Sequence, residues 1–246
     1  MHAETDASGR ATFEGKAAKL DLWSPQHPKL YKVELAAGDD RIADEIGFRD
    51  VRVDGTRILL NGKPIFLQGV NAHAEAPFRT GRVCTDQDVE NIFGFLKDMH
   101  ANFVRLAHYP HDERMEREAD CDGIMIWSEI PLWQRISFDK PEVYAKASAM
   151  LREMIRRDRN KASVILWSIS NETPNNPART DFLTRLAGEA RHLDQTRLIT
   201  SALNSAHMKD GAMVLDDPLA DALDVVGVNE YIGWYVGRPE DADNMR

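Results

Sequence analysis

Cysteine is almost absent from the chain: among 246 residues, only Cys84 and Cys121 carry a thiol. Their spacing matches neither zinc-binding nor redox motifs, and so few thiols suit a reducing compartment. Long apolar runs are missing as well, since none approaches the roughly 18 residues that a membrane span needs. The segment Met1–Asp6 lacks the basic and apolar regions of a signal peptide. A cytoplasmic location is therefore the expectation for the chain as it stands.

Positive charge is the scarcer sign. The 31 lysines and arginines face 40 aspartates and glutamates, which gives a formal net charge of −9 at pH 7. This balance disfavours nucleic acids and anionic membranes as partners. Two motifs are also missing: no Gly-x-Gly-x-x-Gly follows a predicted strand, and no Gly-x-Ser-x-Gly is present. Dinucleotide binding and α/β-hydrolase chemistry are therefore disfavoured.

Residues 1–50 read as antiparallel β structure. Ala11–Glu14 and Leu30–Leu35 alternate apolar and polar residues, which is typical of half-buried strands. Ala37–Asp40 predicts a hairpin loop, and Arg41–Phe48 predicts the strand after it. These strands are too few to enclose a core of their own. We therefore interpret residues 1–50 as the last part of a β-sandwich.

The pattern changes after a predicted hairpin around Asn61-Gly62. Six buried strands are predicted at Ile65–Asn71, Asn102–Ala107, Ile124–Glu129, Val164–Glu172, Arg197–Ser201 and Asp224–Asn229. Amphipathic helices are predicted between them, starting after Thr85, at Asp112, at Pro141 and at Asp181. The apolar face of the first helix is predicted to consist of Val89, Ile92, Phe93, Leu96 and Met99. Such alternation favours parallel crossovers. We predict an incomplete (β/α)8 barrel of about six β/α units over residues 51–246, with a doubly wound open sheet as the alternative.

Polar side chains recur where these strands end. They are Asn71, His73, Arg105, His108, Glu129, Asn171, Glu172, Glu230 and Tyr231. In a barrel, the carboxyl ends of the strands converge on one mouth. Aromatic residues accompany them, namely Trp127, Trp133, Trp167, Trp234 and Tyr235. Carboxylates and amides can bind sugar hydroxyls, and indole faces can pack on the C–H faces of a sugar.

Each of these residues also has a structural interpretation. Arg105 could form a salt bridge inside the barrel, His108 could be a core histidine, and the tryptophans could be ordinary packing. The pair His108-x-x-His111 has two imidazoles but no third ligand nearby in the sequence. We therefore predict neither a metal nor a cofactor.

Several motifs in order resemble glycoside hydrolase family 2, which includes β-galactosidases, β-glucuronidases and β-mannosidases. They are Leu22–Tyr31, Gly47–Arg49, Gly69–His73, Asn102–His111, Trp127–Pro131, Arg157–Asn160 and Ser163–Glu172. Asn229–Tyr235 is most similar to the β-glucuronidase branch. The resemblance covers nearly the whole chain and implies that residues 1–50 end an immunoglobulin-like β-sandwich.

The resemblance also implies roles for single residues. Glu172 would be the general acid/base, and Asn171 would bind the sugar's 2-hydroxyl. The remaining substrate-binding candidates are His108, Arg105, Tyr231, Asn71, Glu129 and Trp133. Arg105 would lie beside the nucleophile and keep it ionised, and Tyr231 would hydrogen-bond it. The implied activity is that of a retaining exo-β-glycosidase with a β-glycoside as substrate.

The chain departs from the family pattern in two places. His73 is followed by Ala74, with Glu75 one position later than the family's glutamate. The family's nucleophile lies on a seventh strand, which is expected beyond Arg246, so the chain resembles an interior piece of a longer enzyme. A β-galactosidase or another family 2 glycosidase is the alternative activity, and a non-catalytic carbohydrate-binding or assembly fragment is the alternative of another class. An unclosed barrel leaves two sheet edges without partners, and such edges can pair with another chain. A homo-oligomer is therefore possible.

Overall fold

The computed structural model of the protein describes residues 2–17, 19–209, 212–231, 233, 235, 237, 238 and 240. Two small antiparallel sheets come first. Strands β1 (Tyr31–Ala37) and β2 (Asp40–Ile46) form a hairpin, as predicted. Strands β3 (Val51–Asp54), β4 (Arg57–Leu60) and β5 (Lys63–Ile65) form a three-stranded sheet.

The turn between β4 and β5 shows why the Asn-Gly dipeptide is informative. Asn61 and Gly62 both have positive φ, at 51° and 77°, as a tight hairpin turn of this kind requires. The strand predicted at Ala11–Glu14 is wrong. Those residues are exposed and form no strand, because alternation alone does not make a strand where no partner pairs with it.

The rest of the described chain alternates strands and helices. In chain order these are β6 (Gly69–Ala72), α1 (Asp86–Asp98), β7 (Phe103–Leu106), α2 (Glu113–Asp122), β8 (Met125–Glu129), α3 (Pro141–Asp158), β9 (Val164–Asn171), α4 (Pro177–Leu193) and β10 (Leu198–Leu203). A hairpin of β11 (Ala206–Lys209) and β12 (Ala212–Leu215), then a 3₁₀ helix at Pro218–Ala222, precede β13 (Val225–Val228). The β11–β12 hairpin was not predicted.

The six strands β6, β7, β8, β9, β10 and β13 form one parallel sheet in that spatial order. Because each strand lies beside the next parallel strand along the chain, the order never reverses as it would in a doubly wound sheet. One core cluster joins all four helices to one face of the sheet. A second cluster on the other face joins Trp127 and Leu166 to Trp23, Val51 and Leu60. The sheet is an incomplete barrel, as predicted.

Local sequence signals explain the helix ends. Thr85 and Asp88 form a complete capping box at α1. Proline occupies the first turn of both α3 and α4, where its missing N–H is harmless. Helix α4 starts at Pro177 rather than at the predicted Asp181, because Asn176 caps it by accepting from Arg179 N at 3.0 Å.

Two burial predictions fail at an edge and at a helix end. Strand β6 was predicted to be buried, but its residues are mostly exposed, because β6 lies at one edge of the sheet. Met99 was assigned to the buried stripe of α1, but it is the C-cap residue and is 46% exposed. The other four predicted stripe residues of α1 are buried: Val89, Ile92, Phe93 and Leu96.

The segment before the barrel packs against the amino ends of its strands. The buried Trp23 donates its indole N–H to Asp120 O at 2.8 Å. Arg49 donates to the carbonyl oxygens of Ala162, Val164 and Thr196 at 3.1, 2.6 and 2.8 Å. Burial, together with the charge of the nearby Arg197, lowers the pKa of Arg49 to about 9. This end of the barrel is therefore filled by protein, and the polar strand ends lie opposite. No helix in the described part of the chain has the length and apolarity to cross a membrane.

Candidate active site

Arg105, on β7, connects most of the polar side chains at the carboxyl ends of the strands. It is 4% exposed. Its Nη2 donates to both carboxylate oxygens of Glu129 at 3.0 Å and to Asn171 Oδ1 at 2.6 Å. Its guanidinium lies 4.7 Å from the centroid of the Trp127 ring. Trp127 can lie there because Gly227 faces it: a Cβ on Gly227 would lie 2.4 Å from the Trp127 ring.

Glu129, at the end of β8, is fully buried. Besides Arg105, it binds Trp127 Nε1 at 3.1 Å and His108 Nδ1 at 2.7 Å. A buried carboxylate is tolerated when such donors surround it. Arg105 therefore forms a salt bridge inside the barrel, which is the structural interpretation given for it above. The enclosed Glu129 orients Arg105 and His108 and is not open to a substrate.

Glu172 follows β9 in a different backbone state. Its φ of 51° is in the left-handed region, which non-glycine residues seldom adopt outside functional or constrained turns. Its backbone N–H donates to Ala202 O at 2.9 Å, and its Oε1 accepts from Asn229 Nδ2 at 2.8 Å. The side chain is partly exposed. Glu172 is thus a carboxyl group held by the protein on one side and accessible to a ligand.

Asn229 is the residue that the strand-end argument missed. It follows β13, and its Nδ2 also donates to Asn171 Oδ1 at 3.0 Å, while its Oδ1 accepts from Arg105 Nη1 at 3.2 Å. It therefore joins Arg105, Asn171 and Glu172 in one network. The sequence does indicate Asn229, because it is the last residue of the sixth predicted strand. The prediction for that strand end named the next two residues, Glu230 and Tyr231, instead.

The other candidates lie around this network. Asn71 pairs in register with Arg105 on the neighbouring strand. Trp133 is 53% exposed, and its backbone bridges to Asn171. His73 lies 5.3 Å from His108, measured between ring centroids. Tyr231 is 36% exposed and packs on Tyr235 at 5.2 Å between ring centroids.

Two further residues named in the sequence analysis are not part of this network. Trp167 is fully buried in the helix-facing core and donates to Asp194 at 2.9 Å, so it does not line the mouth. His111 donates from Nε2 to Ala107 O at 3.0 Å, and burial lowers its pKa to about 4. Trp234 lies outside the described residues. Among the residues that the structure describes, no three His, Cys, Asp or Glu side chains are grouped as a metal site.

Comparison with known proteins now identifies the domain. The family model described as Glycosyl hydrolases family 2, TIM barrel domain, matches residues 51–245. The β-glucuronidase of Paenibacillus borealis is 31% identical over 255 residues, which cover 94% of this chain and 41% of that protein. The Rattus norvegicus β-glucuronidase is 31% identical over 237 residues, covering 89% of this chain and 35% of that protein.

Solved structures are similar in the same way. A β-glucuronidase from Ruminococcus gnavus, in complex with uronic isofagomine, has a TM-score of 0.81 at 31% identity and matches 98% of this chain. A family 2 β-galacturonidase from Eisenbergiella tayi, bound to glycerol, has a TM-score of 0.82 at 28% identity and matches 95%. The chain spans 45% and 41% of these two proteins. The matched family model, the identity to the relatives and the shared barrel show that this chain belongs to glycosyl hydrolase family 2.

Proposed function

We propose that this chain carries the acid/base half of a retaining exo-β-glycosidase site that hydrolyses terminal β-D-glucuronides. The observation that carries the proposal is the placement of Glu172. It is a partly exposed carboxyl group in a left-handed turn, bonded to Asn229 and next to the Arg105–Asn171 pair. Several relatives bear the name β-glucuronidase, and this supports the choice of a uronide as substrate.

The proposed mechanism is a double displacement. Glu172 protonates the leaving glycosidic oxygen while a second carboxylate attacks the anomeric carbon, and Glu172 then deprotonates the water that releases the sugar. The two carboxyl groups of a retaining enzyme lie about 5–5.5 Å apart. Glu129 is enclosed by Arg105, His108 and Trp127, so it does not fill the second role. The resemblance assigns that role to a seventh strand.

Glu172→Gln tests the proposal in the complete enzyme, meaning the gene product that contains this chain. Gln keeps the shape and one oxygen but cannot donate the proton. We expect kcat/KM to fall by roughly 10²–10⁴-fold for alkyl β-glucuronides, whose leaving groups are poor. Dinitrophenyl β-glucuronide needs little protonation, so its first step should survive much better. Equal losses on both substrates would contradict an acid/base role.

The sugar is tested with one panel of nitrophenyl glycosides: the β-glucuronide, β-galacturonide and β-galactoside. We expect the β-glucuronide to have the highest kcat/KM. A preference for the β-galacturonide would move the proposal to the activity named for the Eisenbergiella tayi protein. A preference for the galactoside would refute the uronide class, and binding without turnover by the complete enzyme would favour a non-catalytic carbohydrate-binding role.

The 246-residue chain is a separate case. We expect no appreciable turnover from it, since it would hold the acid/base without the nucleophile. Robust hydrolysis by this chain, abolished by Glu172→Gln, would mean that Glu129 or Glu230 completes the pair.

A further inference from the structure

A buried ion pair lies directly behind the turn that carries Glu172. Arg179, in the first turn of α4, is fully buried and donates from Nη1 to Asp217 Oδ1 at 2.6 Å. The Asp217 side chain is 1% exposed. The guanidinium also donates from Nε to Thr173 Oγ1 at 2.9 Å. Thr173 follows Glu172 and is 2% exposed, so the pair contacts the chain one residue after the proposed acid/base.

The same pair reaches the neighbouring β/α unit. Asp217 Oδ2 accepts from Ser205 Oγ at 3.0 Å, and Asp217 Oδ1 accepts from Leu219 N at 3.0 Å. Ser205 lies just past β10, the strand whose Ala202 O accepts the Glu172 N–H. The turn at Glu172 is therefore held on one side by β10, through Ala202 O, and on the other by the buried pair, through Thr173 Oγ1. Despite burial, the hydrogen bond from Arg179 keeps the pKa of Asp217 below its usual value.

Stability alone is a weak reason for such a pair. Removing two charges from water is costly, and replacing a buried ion pair by apolar residues of similar volume is often neutral or stabilising. What this pair does supply is a fixed geometry, because the planar guanidinium donates once to Thr173 Oγ1 and once to Asp217 Oδ1, while its Nη2 has no partner among the described residues. Glu172 has a left-handed backbone conformation that persists only when the surrounding structure holds it.

We propose that Arg179 and Asp217 are positioning residues for Glu172: through Thr173 Oγ1 they hold the Glu172 carboxyl group where it can transfer its proton. This inference rests on the proposed acid/base role of Glu172. It assigns no contact with substrate to either residue. It requires that loosening the pair should impair proton transfer more than it impairs the rest of the reaction.

A second buried pair provides a matched control. Arg197 and Asp194 are 6% and 5% exposed in their side chains and lie 3.2 Å apart. Arg197 Nε donates to Val164 O at the start of β9. Eight residues of extended strand, about 26 Å, separate Val164 from Glu172. The pair also contacts the Trp167 side chain, and none of its hydrogen bonds reaches Glu172 or Thr173. Removing one partner of either pair should therefore destabilise the fold, but only the first pair touches the acid/base turn.

The decisive comparison is Thr173→Val against Thr173→Ser in the complete enzyme. Valine keeps the shape but removes the acceptor of Arg179 Nε, whereas serine keeps the hydroxyl. For alkyl β-glucuronides we expect Thr173→Val to lower kcat/KM by about 10- to 100-fold, because displacements of about 1 Å have effects of that size. We expect a much smaller loss with dinitrophenyl β-glucuronide, a shifted basic limb of the pH–kcat/KM profile, and recovery with Thr173→Ser.

Asp217→Asn and Asp194→Asn complete the test. Both should lower the urea midpoint of unfolding, but only Asp217→Asn should give a loss of activity that depends on the leaving group. The proposal is overturned if Thr173→Val affects both substrates equally, or if Asp194→Asn reproduces the leaving-group effect. If Asp217→Asn does not fold, the Thr173 pair of variants decides alone. If Glu172→Gln itself shows no leaving-group dependence, the proposed function fails; if only Thr173→Val lacks it, this inference alone fails.

Discussion

Two clusters of buried carboxylates in this barrel differ in how many hydrogen-bond donors surround them. At the mouth, Glu129 is surrounded by donors from Arg105, His108 and Trp127. On the helix side, away from that network, Glu116 and Asp158 are both fully buried and share one guanidinium, that of Arg157. Glu116 Oε2 has no hydrogen-bond partner among the described residues. Donors are abundant in the first cluster and short in the second.

The shortage of donors in the second cluster favours the protonated form of its carboxyl groups. Burial raises the pKa of Glu116 well above its usual value, and it raises that of Asp158 as well. Protein thus encloses the helix-side carboxyls, which take up protons at higher pH than exposed carboxyls. At the mouth, donors fix the geometry, and the partly exposed Glu172 and His108 remain accessible to a substrate. The mouth, where we propose the chemistry, is thus the place where the buried carboxylate Glu129 has several donors.

Breaking a partnered charge should have the largest effect. We expect Arg105→Met to lower the free energy of unfolding at pH 7 by about 3–5 kcal/mol, because Glu129 stays buried without its cation. Arg197→Met is the counterpart at the amino end of β9, and it should cost less. Asp194 lies nearer the surface and keeps donors from Thr196 and Trp167. Urea unfolding measures both, and equal losses would contradict the stated difference between these two ion pairs.

His111 should give a pH effect of one sign. Burial lowers its pKa to about 4, so between that pH and about 6.5, the ordinary pKa of histidine, only the unfolded state binds its proton. The stability that His111 contributes is therefore full above about pH 6.5 and is lost as the pH falls through 4. This loss amounts to about 3 kcal/mol. We expect His111→Gln to remove this slope from the pH dependence of urea unfolding, and an unchanged slope would refute the assignment.

Asp120 should give the opposite sign over nearly the same range. Burial raises its pKa to about 6, so the folded state keeps a proton that the unfolded state loses near pH 4. Its contribution is full below that pH and is lost as the pH rises through 6, by about 3 kcal/mol. Asp120→Asn preserves the acceptor for Ser163 N. We expect this variant to gain stability relative to the wild type as the pH rises from 4 to 7, and a parallel pH dependence of the two proteins would contradict the prediction.

Sequence patterns predict the centre of this fold well. The run Val164–Asn171 is apolar or small on both faces and is buried throughout, because both faces of a central barrel strand pack against protein. Thr85 and Asp88 locate the start of α1, since the capping box is a local interaction. Edges are harder to predict: Gly69–Ala72 has the composition of a buried strand, but its burial depends on neighbours that composition does not specify.

The candidate site also has a part that the sequence predicts and a part that it does not. Arg105, Glu129, Asn171 and Glu172 follow from the strand-end rule, because parallel strands place their carboxyl ends together. The contacts between distant segments do not follow from it. Arg179 and Asp217 are 38 positions apart in the chain, and nothing local in the sequence indicates that they form a buried pair. The left-handed backbone of Glu172 is equally hidden, because glutamate has no preference for it.

The smallest expected effect sets the baseline for the whole comparison. Arg57 and Asp54 form an ion pair of 2.7 Å at the β3–β4 turn, and their side chains are 60% and 57% exposed. That contact is shorter than the 3.0 Å between Arg105 and Glu129, so distance alone would rank it higher. We expect Arg57→Gln to change the free energy of unfolding by less than about 0.5 kcal/mol, because water already solvates both charges and salt screens them. The measurement is urea unfolding at low and high salt beside Arg105→Met. A loss above about 1 kcal/mol from Arg57→Gln would mean that burial is not what separates strong from weak charge pairs in this barrel, and the ranking of Arg105, Arg197 and Arg57 would then need another cause.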